Sequence, residues 1–111
     1  GFPYSDYSRM KSYLALFEHL MRNSRGLRRL GSAAVDLAYV ACGRFDAFYE
    51  YGLNSWDVAA GAFIVQQAGG KNSTFDGQID AIFGKDILAS NTKIHAEMLE
   101  LIKQFEDLIV K

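Results

Sequence analysis

Residues 28–70 read RRLGSAAVDLAYVACGRFDAFYEYGLNSWDVAAGAFIVQQAGG, and the fold turns on how this stretch is read. Near its centre Trp56-Asp57 opens an uncharged run, VAAGAFIV at 58–65, which Gly69-Gly70 closes. A run of this kind reads as a buried helix stopped by glycine. A carboxylate sits at its mouth. Burying an unpaired carboxylate is costly, so Asp57 must be capped, paired, hydrated or bound to a cation. With Asn54 as N-cap, Asp57 falls at N3 and returns a hydrogen bond as in a capping box. The same position suits a hard cation such as Mg²⁺, although one carboxylate does not make a Mg²⁺ site. The residues alone leave both roles open.

Upstream, 45–51 alternates as a strand does: Phe45, Ala47, Tyr49 and Tyr51 on one face, Asp46, Phe48 and Glu50 on the other. Glu50 lies at the strand exit, where the turn at 52–55 brings it toward the Asp57 cleft; it otherwise reads as an edge carboxylate paired with Arg28, Arg29 or Arg44. Asp46 reads as a loop-fixing residue. Residues 33–42 form a helix capped by Ser32 and ended by Gly43, its alanines permitting close packing. Residues 27–30 are a short strand. The turn Gly31-Ser32-Ala33-Ala34 enters a helix with bare backbone N–H groups, which suits an anion or a polyol hydroxyl, though many strand-to-helix turns share this form.

Farther out, 1–4 reads as a strand end, and Ser5 or Asp6 caps a helix whose stripe is Tyr7, Met10, Leu14, Phe17 and Met21, closing near 23–26. Residues 71–75 form a strand before the Asp76-Gly77 turn, 79–83 is ambiguous, and 86–89 is a short buried strand. Ser90, Asn91 or Thr92 caps a last helix with Ile94, Met98, Leu101, Ile102, Phe105, Leu108 and Ile109 inward. Strands alternating with helices predict an α/β fold, helices layered on a mixed sheet. The 111 residues, half of them hydrophobic, suffice for one domain.

Composition removes several classes. The formal net charge is -1 with both signs interspersed, so no basic stripe invites nucleic acid. The longest uncharged run, 58–70, is too short to span a bilayer. The one cysteine, Cys42, allows no internal disulfide and fits a reducing, cytoplasmic compartment. His19 and His95 lack any second ligand at metal spacing, and Walker, nucleophile-elbow and dinucleotide motifs are absent. The start, Gly1-Phe2-Pro3-Tyr4, has no initiator Met, which suggests a piece of a longer protein.

These residues resemble the inositol monophosphatase family, a branch of the Mg²⁺-dependent, lithium-sensitive phosphatases. The likeness rests on Arg28-Arg29-Leu30-Gly31-Ser32-Ala33-Ala34, Asp36-Leu37-Ala38-Tyr39-Val40-Ala41, Gly43-Arg44-Phe45-Asp46 with Glu50, and Trp56-Asp57-Val58-Ala59-Ala60-Gly61 followed by Ala68-Gly69-Gly70. The last block looks like the family's C-terminal signature. Gly1-Phe2-Pro3-Tyr4 looks like the stretch that begins the second half of bacterial members. The resemblance thus implies that 1–111 is the C-terminal domain of such a protein, without the N-terminal metal-binding half.

The resemblance implies roles as well. Asp57 looks like the catalytic aspartate that ligates metal and orients substrate hydroxyls. Glu50 looks like the glutamate that takes a substrate hydroxyl, and Ser32 and Ala33 match the substrate-contacting backbone. Two or three Mg²⁺ ions in the full-length parent would activate water for hydrolysis of a phosphate monoester, with inositol monophosphate the expected substrate. Fructose 1,6-bisphosphate, a nucleotide 3′-phosphate or histidinol phosphate are alternatives, since relatives act on these. A protein-partner role in RNA-polymerase complexes is a third, known among bacterial relatives. The implied partner is a small sugar or inositol phosphate, with neither nucleic acid nor membrane, and the implied parent is a homodimer. The Gly-Glu-Glu and Asp-Pro-Ile-Asp-Gly-Thr segments of the family are missing here, so this chain alone is expected to be inactive. Gln67 stands where the family usually has Glu, with a small expected effect.

Overall fold

A computed structural model describes residues 10–24, 26–28, 30–78 and 86–105. In order these form helix α1 (Met10–Asn23), helix α2 (Ala33–Ala41), strand β1 (Ala47–Tyr51), helix α3 (Ser55–Gln67), strand β2 (Lys71–Ser73), strand β3 (Asp86–Ser90) and helix α4 (His95–Lys103). The expectations for 1–4, for the cap at Ser5 or Asp6, for Tyr7, for 79–83, and for Leu108 and Ile109 fall outside the described residues.

The sheet is three-stranded in the order β1-β3-β2. Ala47 faces Ser90 and Tyr51 faces Asp86 across one ladder, while Lys71 faces Ser90 and Ser73 faces Leu88 across the other. Both ladders are antiparallel, so no parallel pair stands among the described residues of the sheet expected to be mixed. The reason is topological. β1 and β2 are joined through α3 and run in the same direction, as in a strand–helix–strand unit, but β3 inserts between them and runs against both.

Helices cover both faces of this sheet. Tyr13, Leu16, Tyr51, Phe75, Leu88, Met98 and Ile102 make one core, under α1 and α4. Leu37, Val40, Val58, Ala62, Val65, Ile87 and Ala89 make the other, under α2 and α3. Leu88 points one way and Ile87 and Ala89 the other, so β3 is buried along its whole length. This explains why its sequence, DILAS, shows no polar alternation.

The α2–α3 contact is unusually close. A Cβ added at Gly61 would lie 2.6 Å from Leu37 Cδ1 and 2.7 Å from its Cβ. The small residue at this contact is Gly61 of α3, not one of the alanines of 33–42. Ser32 caps α2 by accepting the Val35 N–H at 3.3 Å. Gly43 (φ 83°) and Gly69 (φ 88°) turn the chain out of α2 and α3 through left-handed backbone, which a side chain would strain.

Several expectations need correction. Residues Leu27, Arg28 and Leu30 are not in a strand. An extended segment becomes a strand only beside a partner, and β1 has β3 on one side and no described ladder on the other. The buried face of α1 is Tyr13 and Leu16, with Phe17 and Leu20 partly covered, whereas Leu14 and Met21 are exposed. Two apolar stripes overlap on this helix, and packing chose the one containing Tyr13. Phe45 lies before β1 and packs with the α2–α3 core, its ring 5.3 Å from Tyr39 in an edge-on contact.

The start of α4 also differs. Thr92 has φ 82°, outside helical space, so the helix begins after Ile94. Ser90 Oγ and Asn91 Oδ1 instead accept the N–H groups of Thr92 and Lys93 and shape the approach. Finally, α3 is buried on one side only. Val58, Gly61, Ala62 and Val65 face inward, while Trp56 (77% exposed), Phe63 and Ile64 face outward. Among the described residues no helix is long and apolar enough to cross a membrane.

Candidate functional site

β1 carries the chemistry because it is an edge strand. Glu50, next to its end, is only 3% exposed. Its Oε1 accepts the Tyr51 N–H at 3.1 Å. Its Oε2 accepts the Tyr13 hydroxyl at 3.2 Å, across 37 positions of sequence. The carboxylate is therefore held both from β1 and from α1.

In front of Glu50 lies a cleft of about 500 Å³, within the range of small-molecule sites. Its walls come from α1 (Phe17, Leu20), the loop through Gly26 and Gly31, the first turn of α2 (Ala33, Asp36), β1 and α4 (Ile94, Met98). Its charged lining is Arg28 and Arg44 together with Asp36, Asp46 and Glu50. Arg44 stacks over the Tyr39 ring at 5.3 Å, and Arg28 Nη1 donates to the Leu27 carbonyl at 2.7 Å. Asp46 does fix a loop: Asn91 donates to its backbone oxygen at 3.2 Å and to its carboxylate at 3.4 Å.

The structure brings Ala33 and Glu50 to this cleft. Ser32 and Asp57 do not line it. Ser32 is turned to its own helix as cap. Asp57 is turned to its own helix too, Oδ2 accepting the Asn54 N–H at 3.0 Å. That is the carboxylate arm of a capping box, so the local role is present in the folded chain. The bond engages one carboxylate oxygen and leaves the second for a further ligand. Among the described residues no group of three or more His, Cys, Asp or Glu stands close enough to hold a metal ion. Asp57 thus has one carboxylate oxygen outside its capping bond, and the described residues gather no cluster of ligands around it.

Two residues at the site were not singled out from sequence. Asp36 is buried at the cleft wall in the first turn of α2, where the helix N-terminus favours a negative charge. Its signal was a charged residue inside an otherwise apolar helix. Tyr13 carried the signal of a second helical stripe, 13, 16, 17 and 20, beside the one followed.

The histidines sit apart from the cleft. His95 is 2% exposed and ties the start of α4 to β2 and β3. Its Nδ1 lies 2.7 Å from Ser90 Oγ and its Nε2 2.8 Å from Ser73 Oγ. With the Ser73 hydroxyl donating to the Thr74 carbonyl, the tautomer that fits has Nε2 as donor and Nδ1 accepting from Ser90. The ring is neutral in this arrangement. Burial, and secondly the charge of Lys71, push its pKa below the usual histidine value.

Comparison with known proteins places this arrangement. The model of the inositol monophosphatase family matches residues 1–109. The Nus factor SuhB of Pseudomonas aeruginosa is 46% identical over 105 residues, which are 93% of this chain and 39% of that protein. An inositol-1-monophosphatase of Caulobacter vibrioides is 44% identical over 104 residues, 93% of this chain and 41% of its own length. Among solved structures, the inositol monophosphatase of Anabaena (Nostoc) sp. PCC 7120 superposes with a TM-score of 0.80 at 42% identity, over 88% of this chain and 40% of that one. The chain thus spans about two fifths of the length of the curated relatives it matches. A match over nearly every residue, in sequence and in fold, makes this chain a member of the inositol monophosphatase family.

Proposed function

We propose that the full-length protein carrying this chain hydrolyses a phosphate monoester, with inositol monophosphate as substrate, and that this chain supplies its polyol-recognition side. The observation that carries the reading is the cleft in which the Glu50 carboxylate and the first turn of α2 at Ala33 face one space. A carboxylate accepts hydrogen bonds from vicinal hydroxyls, and backbone N–H groups at a helix start favour an oxygen ligand. In this reading Glu50 binds and orients ring hydroxyls, Ala33 and its neighbour Ser32 present backbone to the substrate, and Asp57 lends one carboxylate oxygen to bound Mg²⁺. The metal, when bound, supplies the activation of water and the stabilisation of the leaving oxygen. The remaining ligands come from outside this chain. A cytoplasmic setting suits such a substrate.

The test is kinetic. The full-length protein is expected to release phosphate from inositol monophosphate only with Mg²⁺ and to be inhibited by Li⁺. Asp57→Asn lowers kcat on the order of 10²-fold as a metal ligand is weakened. Metal-independent turnover, or an Asp57→Asn enzyme with unaltered kinetics, overturns the reading and leaves Asp57 a capping residue.

The name of the Pseudomonas relative favours a second reading, a Nus-factor role in which surface contacts with transcription proteins matter more than the cleft. Affinity capture of RNA polymerase by the full-length protein, retained in Asp57→Asn, would support it.

A further inference from the structure

We propose that Tyr13 is a positioning residue for Glu50, setting the affinity of the cleft for polyol phosphates; this rests on the reading of Glu50 given above. Tyr13 does not line the cleft. It stands behind Glu50 with none of its surface exposed, and its hydroxyl donates to Oε2 at 3.2 Å. The ring is held in edge and tilted contacts with Tyr51 at 5.4 Å and Tyr49 at 5.9 Å. These aromatic contacts fix the hydroxyl, and the hydroxyl fixes the carboxylate.

The physical case is preorganisation. A glutamate side chain has three rotatable bonds, and a ligand that must freeze them binds less tightly. Here Oε1 is held by the Tyr51 N–H and Oε2 by Tyr13, from opposite sides of the carboxylate. Both oxygens are thus oriented before a ligand arrives. Because α1 also contributes Phe17 and Leu20 to the cleft wall, one helix both shapes the cavity and aims its recognition group.

The experiment compares two substrates in the full-length protein: inositol monophosphate, and p-nitrophenyl phosphate, which has no ring hydroxyls. Tyr13→Phe keeps the ring in its slot and removes the donor. The ratio of the KM for inositol monophosphate to that for p-nitrophenyl phosphate is expected to rise roughly three- to tenfold, the net worth of one typical hydrogen bond. In a Glu50→Gln background the same change should move the ratio no further, since the two residues act as a unit. If Tyr13→Phe does not fold, 3-fluorotyrosine at position 13 strengthens the donor with little change of volume, and the ratio should fall.

A ratio unmoved by either change, a parallel loss on both substrates, or effects that add to those of Glu50→Gln overturn the proposal. An active wild type with an unmoved ratio removes the role of Tyr13 alone. A wild type inactive on both substrates removes the phosphatase reading and this proposal with it.

Discussion

At the scale of single residues, His95 shows how a bland sequence signal becomes a specific structural one. It joins β2 and β3 to the start of α4 through Ser73 and Ser90, and it does so as a neutral ring. Its depressed pKa makes it a stability group with a definite sign. In the unfolded chain a histidine takes up a proton near pH 6.5, whereas the folded ring resists it. The unfolded state therefore binds more protons just below that pH. The contribution of His95 is complete above about pH 6.5 and is lost as pH falls toward the depressed folded value. Thermal unfolding of this chain should show a midpoint that drops between about pH 6.5 and pH 5, before most carboxylates titrate. In His95→Gln that part of the slope should vanish; an equal slope in both proteins would assign it elsewhere. Asp57 teaches a different lesson. Sequence put it at N3 of a helix capped by Asn54, and its Oδ2 does take the Asn54 N–H. One carboxylate can serve the cap with one oxygen and a cation with the other, so the two roles left open by the residues are compatible in one geometry.

At the scale of elements, boundaries were legible and faces were less so. Ser32, Gly43, Asn54 and Gly69 mark where α2 and α3 begin and end, because caps and left-handed turns are local chemistry. Which stripe of α1 is buried was not legible, since Leu14 and Met21 compete with Tyr13 and Leu16 and only the neighbouring tyrosines of β1 decide between them. The α2–α3 contact allows a quantitative expectation. Alanine is normally favoured over glycine inside a helix by about 1 kcal/mol. At Gly61 the new methyl would overlap Leu37 at 2.6 and 2.7 Å, and one of those atoms is a Cβ that cannot swing aside. Overpacking of this kind costs about 1–3 kcal/mol, so the clash outweighs the propensity gain. Gly61→Ala should lower the denaturant midpoint for unfolding. A stabilised single variant would mean that the two helices are not in register here.

At the scale of the molecule, the chain holds a complete three-layer core and an incomplete site. Both cores close around β3, yet α3 turns Trp56, Phe63 and Ile64 outward, and the described carboxylates nowhere gather into a metal cluster. Its relatives are about two and a half times as long. Folding and catalysis therefore separate in this chain. Expressed alone, residues 1–111 should unfold cooperatively but release no phosphate from inositol monophosphate with or without Mg²⁺, because in the proposed reading Asp57 is one ligand where several are required. Turnover by purified material, with the activity following the chain through gel filtration, would show that the chain carries a sufficient site by itself.

Sequence alone determined the α/β class, the four helices with the strands at 47–51, 71–73 and 86–90 between them, and the caps of α2 and α3. All of these are written in local periodicity, in glycine and N-cap chemistry, and in motifs whose spacing survives without three dimensions. Tertiary structure alone decided that β3 lies between β1 and β2, that 27–30 is not a strand, that Tyr13 stands behind Glu50, and that the stretch from Arg28 to Gly70 brings Ala33 and Glu50 to one cleft while Asp57 keeps to its own helix. Each of these depends on which surfaces meet, and meeting is a property of partners distant in the chain.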